Sequence, residues 1–364
     1  MQVLQTLGKI IPPPAYIQLP SVGVDVSDTS LKYVEFKSDH KSGTELMLKR
    51  WGDIDIPEGA LSRGVVNDGG KLTEALREMK SRTGAENIRV SLPEERAYLF
   101  ETKVERGASA KEIRGLLEFR LEENVPLSPR DAFFDYDLIE DEGPGGHLRV
   151  SVTAYAKDTV MSYYDACRAA DLVPLSFEIE AQAIARATIP KGDAGTHMII
   201  DFGKTRTGVG IVHQGVLMYT STIDVGGGEL SKAMREKLGD LPEATLTEIK
   251  NTQGLVEGKG EHDVHDILVK AMGTIVEEIS TRITYWNTKD VAHEGRQVQS
   301  IILCGGSVNM KGLPSYLTQT LGVEARRANV WENAFSFENH VPEISRRYSF
   351  GYATAVGLAL ASFM

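Results

Sequence analysis

With 364 residues the chain is longer than one simple core usually holds, so two domains or one fold of two lobes is expected. Its 41% hydrophobic and 25% charged residues are ordinary for a globular protein, and no stretch approaches the ~20 apolar residues of a membrane span. A net charge of −11 opposes non-specific binding to nucleic acid or anionic lipid, and two distant cysteines, Cys167 and Cys304, argue against a disulfide framework or Cys-rich metal site and fit a reducing compartment.

The opening "MQVLQTLGKIIPPP" is too short for a signal peptide and lacks its charged leader. Val3, Leu4, Leu7, Ile10 and Ile11 would share one helical face. An isolated helix this short is marginal in water, so residues 1–20 read as a disordered leader, with contact to a membrane or partner as the alternative. "VGVDVSDTSLKYVEF", Val22 to Phe36, and residues 45–56 read as strands of a meander. "GGKLTEALREMKSRTG" is an amphipathic helix stopped by Gly84, and "NIRVSLP" is a short buried strand. From Glu94 to Lys157 the texture changes to a helix, a Pro-punctuated turn, an aromatic-rich strand, a Gly-Pro-Gly-Gly hairpin loop and another strand, as in a small α/β subdomain. A strand–helix rhythm resumes in "DTVMSYYDACRAAD", "PLSFEIE" and "AQAIARAT". The C-terminal "FGYATAVGLALASFM" has an apolar run of about 15 residues, roughly 22 Å as a helix, which fits a buried core helix and not a membrane span.

The opening pattern returns in "HMIIDFGKTRTGVGIV", His197 to Val212: strand, aspartate, small polar turn, strand. Asp201 stands 176 positions after Asp25, and Thr205 the same 176 after Thr29. Internal repetition reports architecture, here two like halves whose hairpin turns point toward a shared cleft. A turn rich in Gly, Ser and Thr lets a polyphosphate approach its backbone N–H groups and adds hydroxyl donors. A bare carboxylate would repel phosphate, but one holding Mg²⁺ through waters would not. Asp25 and Asp201 are therefore metal-side candidates, Lys32 and Lys204 phosphate-side candidates, and Ser27, Asp28, Thr29, Ser30, Gly203, Thr205 and Arg206 loop candidates. The alternative is two ordinary hairpins with capping aspartates in Asx-turns, and the duplication favours phosphate binding. "SIILCGGSVNMKG" adds an apolar strand followed by Gly305, Gly306 and Ser307, a close-approach turn for a flat ligand or phosphate. Gly226 to Gly228 precede another helix, where a flexible loop and a ligand role are both open.

These three elements, in this order, resemble the actin-like ATPase superfamily: a first phosphate loop, a second phosphate loop and a nucleoside-binding Gly-Gly turn. Within it the chain is most similar to the PilM family of type IV pilus and type II secretion assembly, with further echoes in "VSLPEERAYLFETKV", "EFRLEENVPLSPRDAFFDYDLIE", "EIEAQAIARA" and "GYATAVGLALA". The resemblance implies an α/β actin-like fold, a duplicated ribonuclease H-like core in two lobes with an inserted FtsA/PilM-type small subdomain. The expected division is a first domain of residues 21–93, 158–195 and 345–364, an insertion at 94–157, and a second domain of 196–344 with a helical part near 240–295.

The same resemblance implies ATP and Mg²⁺ as ligands. The expected role is a cytoplasmic scaffold, peripheral at the inner membrane, that docks the cytosolic N-terminal tail of a PilN-like membrane protein. The assembly ATPase and further copies of the chain are other candidate partners, nucleic acid is not, and "AYLFETKV" and "AFFDYDL" are candidate linings for the tail. Two departures stand out. Ser27 takes the place of the family's usual glycine, which would weaken the loop if that backbone needs a positive φ. Arg206 is bulkier than usual. Lys250 is kept in "TEIKNTQGL", near the adenine of the family, while the frequent acidic residue three places earlier is Thr247. Glu180 takes the place of the residue that polarises the attacking water, although an acid at a helix start is equally explained by the helix dipole. Slow or absent hydrolysis fits this pattern, because phosphoryl transfer depends on positioning and charge neutralisation. The alternatives are a filament-forming or division protein of the FtsA/MreB kind, against which the subdomain placement and the absence of a basic amphipathic tail argue, and a small-molecule kinase. A kinase would need a further catalytic Asp in a turn outside the phosphate loops, and no such Asp is evident.

Overall fold

A computed structural model describes residues 19–38, 46–139, 146–257, 264–289 and 295–363. The expected leader face at Val3–Ile11 lies outside these residues, as does most of the expected Gly-Pro-Gly-Gly loop. Two compact units divide the chain: residues 1–191, 330–345 and 352–364, and residues 192–329 and 346–351.

The first unit opens with β1 (Val22–Val26), β2 (Ser30–Ser38) and β3 (Leu46–Asp55), an antiparallel meander. Its β4 (Leu61–Ser62) and β5 (Val65–Val66) form a small hairpin whose Arg63 and Gly64 both have positive φ, 49° and 71°. Helix α1 (Gly69–Thr83) starts where the Asp68 side chain accepts from the Gly70 and Lys71 amides, and stops at left-handed Gly84. Strand β6 (Asn87–Leu92) then pairs parallel with β1.

The inserted segment supplies β7 (Tyr98–Glu105), α2 (Ala110–Asn124), β8 (Ala132–Ile139) and β9 (His147–Ala156). Its three strands make a separate antiparallel sheet in the order β7-β9-β8. A capping box between Ser109 and Glu112 starts α2, whose Ile113, Leu117 and Leu121 pack on Val104, Val150, Val152 and Ala154 of the sheet. The chain continues through α3 (Lys157–Ala169), β10 (Val173–Ile179) and α4 (Glu180–Thr188). The main sheet reads β10-β6-β1-β2-β3. The C-terminal helix, Ala353–Leu360, is buried throughout and packs on β1 and α4. Two glycines permit this: a Cβ on Gly357 would overlap Ala183 backbone, and one on Gly23 would overlap Ala355 backbone.

The second unit repeats the plan. Strands β11 (Thr196–Phe202), β12 (Thr207–His213) and β13 (Val216–Ile223) form an antiparallel meander, and β14 (Ser300–Cys304) and β15 (Glu324–Arg327) add parallel strands on the other side. The order β13-β12-β11-β14-β15 matches β3-β2-β1-β6-β10 strand for strand, so the duplicated pattern in the sequence is a duplicated sheet. Helices α5 (Gly227–Leu238), α6 (Glu243–Thr252), α7 (Val264–Thr288) and α8 (Leu313–Leu321) complete the unit. Helix α7 buries one stripe, Leu268, Met272, Ile275, Ile279, Ile283 and Trp286, at helical spacing.

Two segments fall differently from the sequence division. Residues 330–345 cluster with the first unit, where Trp331 stacks on Phe335 at 5.3 Å and both meet Phe36 edge-on. Residues 346–351 cluster with the second, where the Gly305 amide donates to the Phe350 carbonyl at 2.9 Å. Among the described residues no helix is long and apolar enough to cross a membrane. Cys167 and Cys304 are both buried and unbridged, and burial pushes the Cys167 thiol up to about 12.

Candidate functional site

The β1–β2 hairpin closes its own turn. The Ser27 amide donates to the Ser30 carbonyl at 2.9 Å, and the Ser27 hydroxyl does the same at 2.9 Å. The Ser30 amide donates back to Ser27 Oγ at 3.1 Å. Ser27 is not among the residues with positive φ, so the penalty expected from a serine in place of glycine does not arise. Lys32 faces Asp25 in register and donates to Ser30 Oγ at 3.1 Å. The Asp25 carboxylate accepts from Ser91 Oγ at 3.1 Å. Burial pushes the Asp25 carboxyl up, against the opposing pull of the Lys32 charge and the Ser91 hydrogen bond.

Asp28 is held by a second turn of the same unit. Its two oxygens accept from the Arg63 and Gly64 amides at 3.0 and 3.2 Å, tying the loop to the β4–β5 turn. From the other side, Tyr163 donates its hydroxyl to the Gly64 carbonyl at 3.1 Å. Thr29 is exposed at the tip, and its carbonyl accepts from the Ile56 amide at 3.0 Å. Glu180, the first residue of α4, is half-buried. Burial raises the Tyr163 phenol, and the charges of Glu180, Asp28 and Asp25 raise it further. Three predicted acids of this unit thus gather around one buried phenol that the sequence did not single out. Tyr163 lies on α3, far from every motif, and carried no sequence signal.

In the second unit the predicted loop is a tight turn: the Gly203 amide donates to the Asp201 and Arg206 carbonyls at 3.1 and 3.0 Å. Lys204 and Thr205 are exposed at its tip, while Asp201 and Arg206 are half-buried. The two other glycine segments converge on the same backbone. Gly227 and Gly228 donate their amides to the Gly203 and Lys204 carbonyls at 3.0 and 2.8 Å, and Ser307 Oγ donates to the Gly203 carbonyl at 3.0 Å. A Cβ on Gly226 would lie 2.6 Å from the Lys204 carbonyl oxygen. Gly305, at φ 93°, leaves room that a Cβ would take from the Asp201 carboxylate, whereas Gly306 faces open space. The Gly226–Gly228 run packs on this loop and gives it the Gly227 and Gly228 amides.

Lys250 is buried and committed as well. Its ammonium donates to Ser231 Oγ at 2.6 Å and to the Gly227 carbonyl at 3.2 Å, and lies 3.6 Å from Glu243. Ser231 and Glu243 were not recognised from the sequence. Glu243 lies seven places before Lys250, not at the Thr247 position where the family often has an acid.

A profile of the type IV pilus assembly protein PilM matches residues 23–363. The chain belongs to that family. A solved PilM-PilN type IV pilus biogenesis complex is similar at 20% identity and a TM-score of 0.75, covering 95% of this chain and 99% of the other. The ethanolamine utilization protein EutJ from Carboxydothermus hydrogenoformans follows at 14% identity and 0.53, with coverages of 93% and 89%. MreB 5 of Spiroplasma citri bound to AMPPNP stands at 13% and 0.51, with coverages of 92% and 93%. At such identities the likeness speaks for the fold, which is the actin-like one.

For a PilM-family chain the residues present fit a hydrated Mg²⁺. Among the described residues no three metal-ligating side chains gather into a cage. Mg²⁺ beside phosphate usually needs only one or two carboxylates and keeps several waters. Asp201, whose carboxylate packs against Gly305 where a Cβ would overlap it, offers one such carboxylate.

Proposed function

We propose that this PilM-family protein is an ATP–Mg²⁺-binding scaffold of the type IV pilus machine that docks the cytosolic N-terminal tail of a PilN-like inner-membrane protein. The match over residues 23–363 carries the pilus-assembly reading, and the similar solved complex pairs a PilM with a PilN. The nucleotide part rests on the convergence of three glycine segments at Gly203–Lys204, with Asp201 alongside. Gly203, Lys204, Thr205, Arg206 and the Gly305–Ser307 turn are the assigned phosphate and nucleoside contacts in the second unit. Ser27, Ser30, Lys32 and Asp25 are their counterparts in the first, and Asp25 and Asp201 are the water-mediated metal contacts. Glu180 is the residue assigned to orient water in any hydrolysis.

Magnesium would neutralise phosphate charge; the protein's part is to hold the phosphates with backbone amides, hydroxyls and the Lys204 and Lys32 ammonium groups. The docking reading draws on the inserted sheet β7-β9-β8, whose outer strands have, among the described residues, a neighbouring strand on one side only, the kind of edge to which an extended peptide adds. Its β8 carries exposed Phe133 and Leu138. The test is fluorescence anisotropy of a labelled PilN-type N-terminal peptide titrated with the protein. Saturable binding that a Phe133→Asp, Leu138→Asp variant loses is the expected result, and no binding of the peptide at any accessible concentration refutes the docking role.

A further inference from the structure

Lys250 spends its ammonium inside the protein. We propose that Lys250 is a positioning residue, which acts through Gly227 and Ser231 to hold the first turn of α5 against the loop Gly203–Arg206 and so sets the shape that loop offers to the phosphates of a nucleotide. This inference rests on the ATP-binding reading above and goes beyond it in naming a residue that shapes the site without touching the ligand.

The linkage can be followed atom by atom. An ammonium has three donors and no acceptor. Lys250 gives one to the Gly227 carbonyl at 3.2 Å and one to Ser231 Oγ at 2.6 Å. With that lone pair occupied, the Ser231 hydroxyl proton goes to Glu243 Oε1, 2.6 Å away, the charged and nearer acceptor. Arg235 holds the other Glu243 oxygen at 2.6 Å. The Gly227 residue whose carbonyl Lys250 grips sends its own amide to the Gly203 carbonyl at 3.0 Å, and Gly228 sends its amide to Lys204. At the other end, the Lys250 carbonyl accepts from the Lys311 amide at 3.1 Å, in the segment that follows the Gly305–Ser307 turn. One residue therefore connects α6, the first turn of α5 and the segment after the Gly-Gly turn.

Packing alone does not call for a lysine here. The side chain is buried, and a buried ammonium costs free energy unless it is fully partnered. The start of a helix is also the wrong end for a cation on dipole grounds. Met would fill the same volume without either penalty. What Lys supplies and Met cannot is a directed bond to the Gly227 carbonyl, the residue that meets the phosphate loop. The charges facing it are Glu243 and Arg235, from α6 and α5, and burial is the largest influence depressing its own titration.

The experiment compares wild type with Lys250→Met, Ser231→Ala and Glu243→Gln. In the nucleotide-free protein, residue-resolved amide exchange by NMR should show Gly227 and Gly228 exchanging at least tenfold faster in Lys250→Met and in Ser231→Ala, with exchange in the first unit unchanged. With ligand, both variants should lose affinity for ATP–Mg²⁺ at least tenfold while adenosine, which has no phosphate, binds as to wild type. Ser231→Ala keeps the test open if Lys250→Met does not fold. Unchanged exchange at Gly227 and Gly228 overturns the proposal. An equal loss for adenosine and ATP also overturns it and makes Lys250 a direct nucleoside contact. If wild type binds neither ligand, the ATP reading fails, and the exchange measurement alone decides whether Lys250 holds the loop.

Discussion

The Asp201 carboxylate and Gly305 share one small space: a Cβ on Gly305 would overlap Asp201 Oδ1. Gly305 also has φ 93° and ψ 165°, a region that essentially only glycine occupies. Gly305→Ala should therefore push on the carboxylate and strain the turn, costing about 1–3 kcal/mol of stability. Asp201→Ala is the milder probe of function. It should weaken Mg²⁺-dependent ATP binding at least tenfold, about 1.4 kcal/mol, with the melting temperature held. Calorimetry with and without Mg²⁺ measures this; unchanged affinity in a folded Asp201→Ala protein removes the metal-side role.

Ser27 closes the first loop with bonds in both directions to Ser30. Because its backbone is unstrained, Ser27→Gly brings no relief and removes those bonds while adding freedom to the unfolded chain. A loss of about 1–2 kcal/mol in stability is expected, since each such bond is worth ~0.5–1.5 kcal/mol net. Nucleotide affinity should stay level or fall. Tighter binding by Ser27→Gly in calorimetry would contradict the closed-turn account.

How much of this was legible in sequence depends on the range of the interaction. The hairpins, the stop at Gly84 and the Asp25–Asp201 repeat rest on local patterns, and the structure repeats them as two sheets of one strand order. Asp28 reads as a loop residue from its neighbours in sequence, while its amide donors, Arg63 and Gly64, sit on a distant turn with no motif of its own. Ser231 and Glu243 were unreadable for the same reason: their meeting with Lys250 is set by how α5 and α6 cross. Position in the chain puts residues 330–344 with the second lobe, whereas burial of Trp331 and Phe335 against Phe36 packs them on the first unit, a long-range contact with no local pattern.

Asp25 offers a pH test. Burial raises its carboxyl above the ordinary 3.8, so the folded protein holds this proton more tightly than the unfolded chain does. Such a group contributes stability that is fully present below pH 3.8 and is lost as pH rises through the folded value. Asp25→Asn removes the titration. The variant should therefore gain melting temperature relative to wild type as pH is raised from about 4 to 7, by a few degrees at most, as a change of ~1 kcal/mol would give. Relative to wild type, whose Asp25 gains its charge as pH rises, the ATP–Mg²⁺ affinity of Asp25→Asn should fall over the same range. A difference in melting temperature that does not vary with pH would show that the Lys32 charge fully offsets the burial.

The last prediction concerns what the nucleotide is for. Net charge −11 gives little attraction to anionic lipid, and among the described residues no helix spans a bilayer. On the proposed reading the protein is tethered through a protein tail, and the inserted sheet with exposed Phe133 and Leu138 is the proposed place for it. Nucleotide can shift tail binding only as far as its affinities for two states of the protein differ, and such couplings are typically ~1–3 kcal/mol, or about 5–150-fold. A PilN-type peptide should thus bind with micromolar strength, roughly −8 kcal/mol, and ATP–Mg²⁺ should change that by less than about 150-fold. By reciprocity the peptide must change ATP affinity by the same factor, so the two titrations check each other. Vesicle flotation completes the test. The protein alone should stay at the bottom of the gradient and float only with vesicles that display the peptide; flotation on anionic vesicles without it would overturn the tail-tethered reading.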